Sequence, residues 1–238
     1  MKHILIIGAT SGIGRGLAEH FVAAGNRVGI LGRREELLQE VTAQKPEAYS
    51  PKVGDITDLK RMAPLLNEWK EEMGTIDLIV ISAGTGELNP SLEYALEEPT
   101  LQTNVIGFTF VADWSYRLFE AQGRGHLTVI TSMAGLRGEG EAPAYNATKA
   151  FQVNYTEGLQ KKAFRSDLPI RITDIRPGFV DTAMAKGEGL FWVAPVEKAV
   201  RQICHAIRKE RKVAYVSRRW AVVAFFLKRL PSFLYYRM

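Results

Sequence analysis

The sequence predicts one α/β domain: a single doubly wound parallel sheet of about seven strands, with helices on both faces. Three observations point there. Short apolar runs alternate along the chain with segments of helical periodicity, the pattern of a parallel sheet covered on both sides. The first run, residues 4–7, leads into Gly8-Ala9-Thr10-Ser11-Gly12-Ile13-Gly14 and then a helical pattern through Ala24, closed by Gly25. Residues able to do chemistry recur just after the apolar runs, at the carboxyl ends of the strands, where such sheets hold ligands.

The second strand, residues 27–31, ends at Gly32-Arg33-Arg34. Residues 48–53 form a third strand with Pro51 inside it, which suits a sheet edge because proline lacks the ladder donor. Asp55 and Ile56 follow, placed to meet an adenine edge. Residues 59–73 read as a helix with a charged, solvated face, and 76–82 as a strongly apolar fourth strand leading into Ala83-Gly84. A long helical region, about 91–120, carries Asn104, and the fifth strand, 127–132, delivers Ser132 to its end. A helix bearing Tyr145 and Lys149 precedes the sixth strand, 170–175, which runs into Arg176-Pro177-Gly178-Phe179-Val180-Asp181-Thr182. With a seventh strand at 213–217, the expected sheet is Rossmann-like in the order 3-2-1-4-5-6-7. Residues 1–217 are expected to form one domain, and 218–238 an apolar, basic tail.

A hydrophobic content of 46% fits a globular chain, and no uninterrupted apolar stretch approaches the ~18 residues of a membrane-spanning helix. The single cysteine, Cys204, forms no intrachain disulfide, so the fold is independent of an oxidising compartment; it reads as a packed structural thiol. The short start before Gly8 has no signal-peptide pattern, and a cytoplasmic location is expected, with peripheral contact at a membrane as the alternative. The net charge of +5 permits anionic partners without requiring any, and nucleic acid is not expected among them. His3, His20, His126 and His205 show no ligand spacing, so no metal is expected.

The glycine turn permits close approach of backbone to a pyrophosphate, and the helix after it offers unpaired N–H groups and a positive dipole end. An acidic residue at the end of the second strand holds the ribose 2′-hydroxyl in NAD sites; here Gly32, Arg33 and Arg34 stand instead, and an arginine fork suits a 2′-phosphate. Tyr145 and Lys149, four apart, share one helix face. A phenol with a pKa of ~10 needs lowering by roughly 3 units, about 4 kcal/mol, for proton transfer near neutrality. One positive charge ~5 Å away at an effective dielectric of ~20 supplies ~3 kcal/mol, so Lys149 is expected to provide most of the shift. An ordinary amphipathic helix would carry the same pair, and the other motifs separate the two readings.

With these residues assembled, the chain resembles the short-chain dehydrogenase/reductase family over residues 2–217. The glycine motif matches Gly8, Thr10, Gly12 and Gly14; the active-site set matches Asn104, Ser132, Tyr145 and Lys149; the turn after the sixth strand matches Pro177, Gly178 and Thr182. The family's Asn-Asn-Ala-Gly reads Ile81-Ser82-Ala83-Gly84 here. The resemblance implies an NADP(H)-dependent oxidoreductase acting on a carbonyl/alcohol substrate. In that reading Ser132 bonds the substrate oxygen, Tyr145 transfers its proton, Lys149 lowers the tyrosine and holds the ribose, and Asn104 positions a water linking Lys149 to solvent. The cofactor would be held by Gly8, Thr10, Ser11, Gly12, Ile13, Gly14, Arg33, Arg34, Asp55, Ile56, Ala83, Gly84, Asn104, Tyr145, Lys149, Pro177, Gly178, Val180 and Thr182.

Two other functions fit the sequence: a non-catalytic NADP(H)-responsive binding protein, and a membrane-surface interaction protein dominated by its tail. A lid is expected at 183–193, with Met184, Leu190, Phe191 and Trp192 pointing to an apolar substrate. Self-association is expected through the helices of Asn104 and Tyr145, since Val105, Phe108, Phe110, Val111, Trp114 and Leu118 exceed what one sheet-facing stripe requires. The tail interleaves apolar and aromatic residues with Arg218, Arg219, Lys228, Arg229 and Arg237. It suits either a cover over the cleft or a neighbouring subunit, or a segment lying in a membrane interface.

Overall fold

In the computed structural model, which describes residues 1–185 and 191–237, seven parallel strands form one sheet in the order β3-β2-β1-β4-β5-β6-β7, the expected order. The strands are β1 (His3–Ile7), β2 (Arg27–Gly32), β3 (Tyr49–Val53), β4 (Leu78–Ile81), β5 (Gly125–Ile130), β6 (Ile170–Pro177) and β7 (Val213–Val216). Alternation sets the two faces. Ile4 and Ile6 point to one core, where they meet Leu17, Leu38 and Ile203 of α1 (Gly12–Ala23), α2 (Glu35–Thr42) and α7 (Val196–Arg208). Leu5 and Ile7 point to the other, with Leu66, Trp69, Phe108 and Leu159 of α3 (Leu59–Met73), α5 (Phe108–Gln122) and α6 (Pro143–Arg165). Burying each large apolar side chain in these layers contributes about 1.5–3 kcal/mol to the folded state.

β3 is the sheet edge, and Pro51 lies in it opposite Ile30, exposed, as its missing N–H requires. The long helical region expected at 91–120 starts at Tyr94 instead. It divides into α4 (Tyr94–Leu101), a π-helical turn (Gln102–Gly107) and α5. Pro99 inside α4 cannot donate, and the wider turn that follows carries Asn104 inward to full burial. The fifth strand stops at Ile130, so Ser132 stands past its end in extended conformation, capping a 3-10 turn (Met133–Leu136) by accepting from the Ala134 N–H. Beyond β7, α8 (Trp220–Leu227) and α9 (Ser232–Tyr235) close the chain.

Of the residues expected to drive self-association, Phe108, Val111 and Leu118 are consumed by this chain's own core, and Phe110 and Trp114 pack against it. The larger apolar side chains left exposed beside them are Ile106, Phe151 and Phe164. Among the described residues, no helix is long and apolar enough to cross a membrane, and no cluster of His, Cys, Asp and Glu could hold a metal. Cys204 is partly covered, and burial pushes its thiol up to about 12, so it is inert at neutral pH.

Candidate active site

The carboxyl ends of β1, β4, β5 and β6 converge on one cleft, and the glycine turn forms its floor. Gly8 has φ +92°, and a Cβ there would lie 2.5 Å from the Ala83 nitrogen, so only glycine lets the turn pass this close to the end of β4. A Cβ at Gly14 would strike the Gly8 carbonyl oxygen. Ser11 stands before α1 without a side-chain cap bond, and the first turn of the helix has no acidic residue, so its N–H groups face the cleft unneutralised. Ile13 is partly buried against the α1 core, and the Thr182 methyl reaches to within 2.9 Å of where a Gly12 Cβ would stand. The turn thus closes against Ala83 on one side and Thr182 on the other, a cradle that side chains would fill and that fits the phosphates of a dinucleotide.

The end of β2 supplies charge. The Arg34 guanidinium donates to the Thr10 hydroxyl at 2.8 Å and to the Ser11 hydroxyl at 3.0 Å, which lays it along the turn. Arg33, mostly exposed, lies 3.5 Å from the Asp55 carboxylate. Burial pushes the Asp55 carboxyl up, but bonds from the Thr57 N–H and hydroxyl, with Arg33, outweigh it and leave Asp55 below the usual carboxylate range. A side chain at Gly32 would collide with the Thr10 methyl. Ile56 is buried in the core against Gly107, so beyond Asp55 only backbone is offered there.

The four active-site candidates come together from three elements. Asn104 Nδ2 donates to the Thr85 carbonyl at 2.7 Å and to Thr148 Oγ1 at 3.0 Å, while its Oδ1 accepts from the Thr85 N–H at 2.9 Å. It therefore ties the loop after β4 to α6. Gly84 faces both Asn104 Oδ1 and Lys149 Nζ, 3.2 and 3.3 Å from where its Cβ would be. Lys149 is buried, and its Nζ donates to the Ile130 carbonyl at 3.2 Å and to Gln152 Oε1 at 2.9 Å. Tyr145 lies over the same cleft, its ring centre 5.9 Å from Lys149 Nζ, with its hydroxyl 3.9 Å from the Met184 sulfur.

One sequence expectation changes here. Burial raises the Tyr145 hydroxyl above its ordinary value, and the Ser132 hydroxyl, hydrogen-bonding to it, pulls it back only in part. The expected lowering by Lys149 does not outweigh burial; the ammonium donates to Ile130 and Gln152 and is itself brought down to about 8 by burial, against which the charge of Asp174 works. Desolvation of the phenol wins over one partly quenched cation. Gln152 also joins Asn104 and Lys149 directly: its Nε2 donates to the Asn104 carbonyl at 2.9 Å while its Oε1 accepts from Lys149.

Gln152 was missed because a polar residue in a helix reads as solvated; its signal is the i+3 spacing from Lys149. The buried pair Asp174–Arg176 was missed too. Arg176 Nε lies 2.7 Å from Asp174 Oδ2, and the Thr131 hydroxyl donates to Oδ1 at 2.5 Å, fixing the end of β6 beside β5. Pro177 ends β6, Gly178 lies under the Trp220 indole, and Val180 is buried beside Ala194. Of the expected lid, Met184, Phe191 and Trp192 are described, and Leu190 lies outside the described residues.

The chain matches the short chain dehydrogenase family over residues 2–190. It is 31% identical over 219 residues to an uncharacterised oxidoreductase of Mycobacterium tuberculosis, covering 88% of this chain and 85% of that protein. An uncharacterised oxidoreductase of Staphylococcus saprophyticus is 30% identical over 190 residues, covering 77% and 80%. Among solved structures it is similar to a short-chain dehydrogenase of Streptomyces avermitilis, with a TM-score of 0.83 at 23% identity over 96% of this chain and 91% of that one. It is similar also to ElxO with NADP bound, with a TM-score of 0.80 at 20% identity over 90% and 96%. At such identities the structural likeness speaks for the fold, while the sequence match carries the membership. The chain belongs to the short-chain dehydrogenase family of oxidoreductases.

Proposed function

We propose that this protein is an NADP(H)-dependent reductase that interconverts a carbonyl and an alcohol, with an apolar substrate and reduction as the working direction. The observation that carries the reading is the end of β2. Gly32 admits no side chain beside Thr10, so no carboxylate can stand there to hold a ribose 2′-hydroxyl, and Arg34 lies along the glycine turn with Arg33 next to it. A solved relative in fold has NADP bound, in keeping with this reading.

When bound, NADP(H) supplies the hydride and, oxidised, a positive charge. Gly8 to Gly14 and the start of α1 would hold its phosphates, Arg33 and Arg34 its 2′-phosphate, Ala83 and Gly84 would border it at the end of β4, and Val180 and Thr182 would meet its nicotinamide end. The chain's own groups do the proton work. Ser132 holds the substrate oxygen, and Tyr145 gives it a proton in reduction or takes one in oxidation. Lys149 holds the ribose and supplies positive charge behind the phenol, and Gln152 keeps Lys149 aligned through the Asn104 carbonyl. Self-association through the helix faces bearing Ile106 and Phe151 belongs to the same proposal, supported by their exposure.

The test is titration of the protein with NADPH and NADH. NADPH should bind at least tenfold more tightly, and Arg34→Ala or Arg33→Ala should remove most of that difference, since each charge-assisted bond contributes about 1.5–3 kcal/mol. Equal affinities in the unmodified protein overturn the assignment.

A further inference from the structure

The helix α8 has no polar face. Trp220 and Ala224, four apart, are buried against Met133, Leu136, Phe179 and Tyr215. On the other side Val222, Phe225 and Phe226 are 61, 53 and 64% exposed, at the i, i+3, i+4 spacing of one helix face. α9 adds Phe233 and Leu234 at 65 and 43%, and Tyr236 just after it is 80% exposed. A helix that is apolar all round is covered on all sides when it works, and here one side is open. The segment is not loose. The Arg137 guanidinium donates to the Leu230 carbonyl at 2.9 Å and lies 4.3 Å from the Tyr235 ring centre, and the Tyr235 hydroxyl donates to the Gly138 carbonyl at 2.5 Å.

Charge identifies what covers it. Residues 211–238 hold seven of the chain's 31 basic residues and none of its 26 acidic ones, so the preceding 210 residues are net negative by two. Arg218 and Arg219 precede the apolar face, Lys228 and Arg229 follow it, and Arg237 lies beyond α9. Arg229 lies over the Phe225 ring, 3.9 Å from its centre, so cation and ring share one surface. A second copy docked face to face would set these cations against themselves. An anionic lipid surface satisfies both the cations and the aromatic row, and the face is too short to go deeper than the interface.

We propose that α8 and α9 dock this protein on an anionic lipid surface. Val222, Phe225, Phe226 and Phe233 enter the headgroup boundary, and Arg219, Lys228, Arg229 and Arg237 meet the lipid phosphates. Docking also orients the cleft. The inner side of α8 packs on Met133 and Leu136, directly after Ser132, and Phe191, tilted, and Trp192, edge-on, pack against Trp220 with ring centres 5.2 and 6.1 Å away. Met184, on the same connection after β6, stands at the Tyr145 hydroxyl. The substrate is therefore a membrane-resident amphiphile bearing a carbonyl or hydroxyl, a clause that rests on the reductase reading.

The experiment is sedimentation with vesicles of phosphatidylcholine alone or mixed with phosphatidylserine, at ~0.1 M and ~1 M salt, where the screening length falls from about 10 to about 3 Å. The full chain should pellet with the mixed vesicles at low salt and at least tenfold less in the other conditions. F225S/F226S and, separately, K228E/R229E should abolish pelleting while binding NADPH normally without vesicles. No pelleting of the full chain, or undiminished pelleting of both variants, overturns docking; so does a variant that changes oligomeric mass while still pelleting, which makes the face a contact between copies. For the substrate clause, NADPH consumption is followed with a short soluble aldehyde and with a long-chain aldehyde dispersed in mixed vesicles. Faster turnover of the long-chain aldehyde by the full chain than by F225S/F226S supports it. Equal turnover refutes it. Consumption of neither aldehyde counts against the reductase reading and leaves docking to the pelleting result.

Discussion

Replacing Gln152 by Leu tests whether the side-chain link in the active site matters to catalysis. Leucine nearly matches glutamine in size, and the site is buried, so the main change is the loss of two hydrogen bonds, from Lys149 Nζ at 2.9 Å and to the Asn104 carbonyl at 2.9 Å. The charged one contributes about 1.5–3 kcal/mol and the neutral one about 1. Added apolar burial offsets ~1 kcal/mol, leaving a net destabilisation of about 1.5–3 kcal/mol. The Lys149 ammonium, already down at about 8, loses its better acceptor. A loss of about 1.5–3 kcal/mol from the charged form alone lowers it by a further one to two pH units. Lys149 then deprotonates near neutrality, and the alkaline fall in kcat/KM, set by a protonated Lys149, moves to lower pH by that amount. The assay is NADPH consumption across pH 5.5–9 for the unmodified protein and the variant, beside urea unfolding. Gln152→Glu, which keeps the acceptor and adds charge, should move the same limb the other way. A uniform drop at every pH would assign Gln152 a packing role only and refute the reasoning.

Two further outcomes follow from the same geometry. His126 Nε2 lies 2.8 Å from the Thr173 hydroxyl, and burial lowers the ring from 6.5 to about 4. The unfolded chain therefore takes up a proton below pH 6.5 that the folded chain refuses until about 4, and stability falls across that window by about 3 kcal/mol; urea unfolding of His126→Gln should show a shallower acid loss, and an unchanged loss contradicts the assignment. Gly14→Ala places a methyl on the Gly8 carbonyl oxygen, which the turn can relieve only by opening, at about 1–3 kcal/mol. Thermal stabilisation by NADPH should disappear in this variant, and full stabilisation would mean that the turn does not form the phosphate site.

Much of this was legible in the chain because backbone logic dictates it. A parallel sheet buried on both faces demands continuous apolar strands, and Pro51 could sit only at an edge. The glycines of the turn are required by approach distances that any side chain would violate. What stayed hidden depends on three-dimensional contacts between residues of ordinary type. Gln152 looks like a solvated helix position until α6 is seen to face the π-helical turn at Asn104. Asp174 and Arg176 look out of place in a strand until they are paired. The direction of the Tyr145 shift was misjudged for a related reason: distance along a helix reports the neighbouring charge, whereas burial of the phenol is a property of the assembled cleft. Likewise the apolar excess on α5 was spent within the chain, and the surplus surface lay on α8.

The measurement that bears most directly on the central claim is NADPH consumption with a panel of carbonyl substrates by the unmodified protein and by Tyr145→Phe, with NADPH affinity determined for both. Only a hydroxyl is removed, one that makes no backbone bond among the described residues, so cofactor affinity should be retained while the rate on any accepted carbonyl falls by about 10²-fold or more. A Phe variant that turns over the same carbonyl at a near-normal rate would contradict the account.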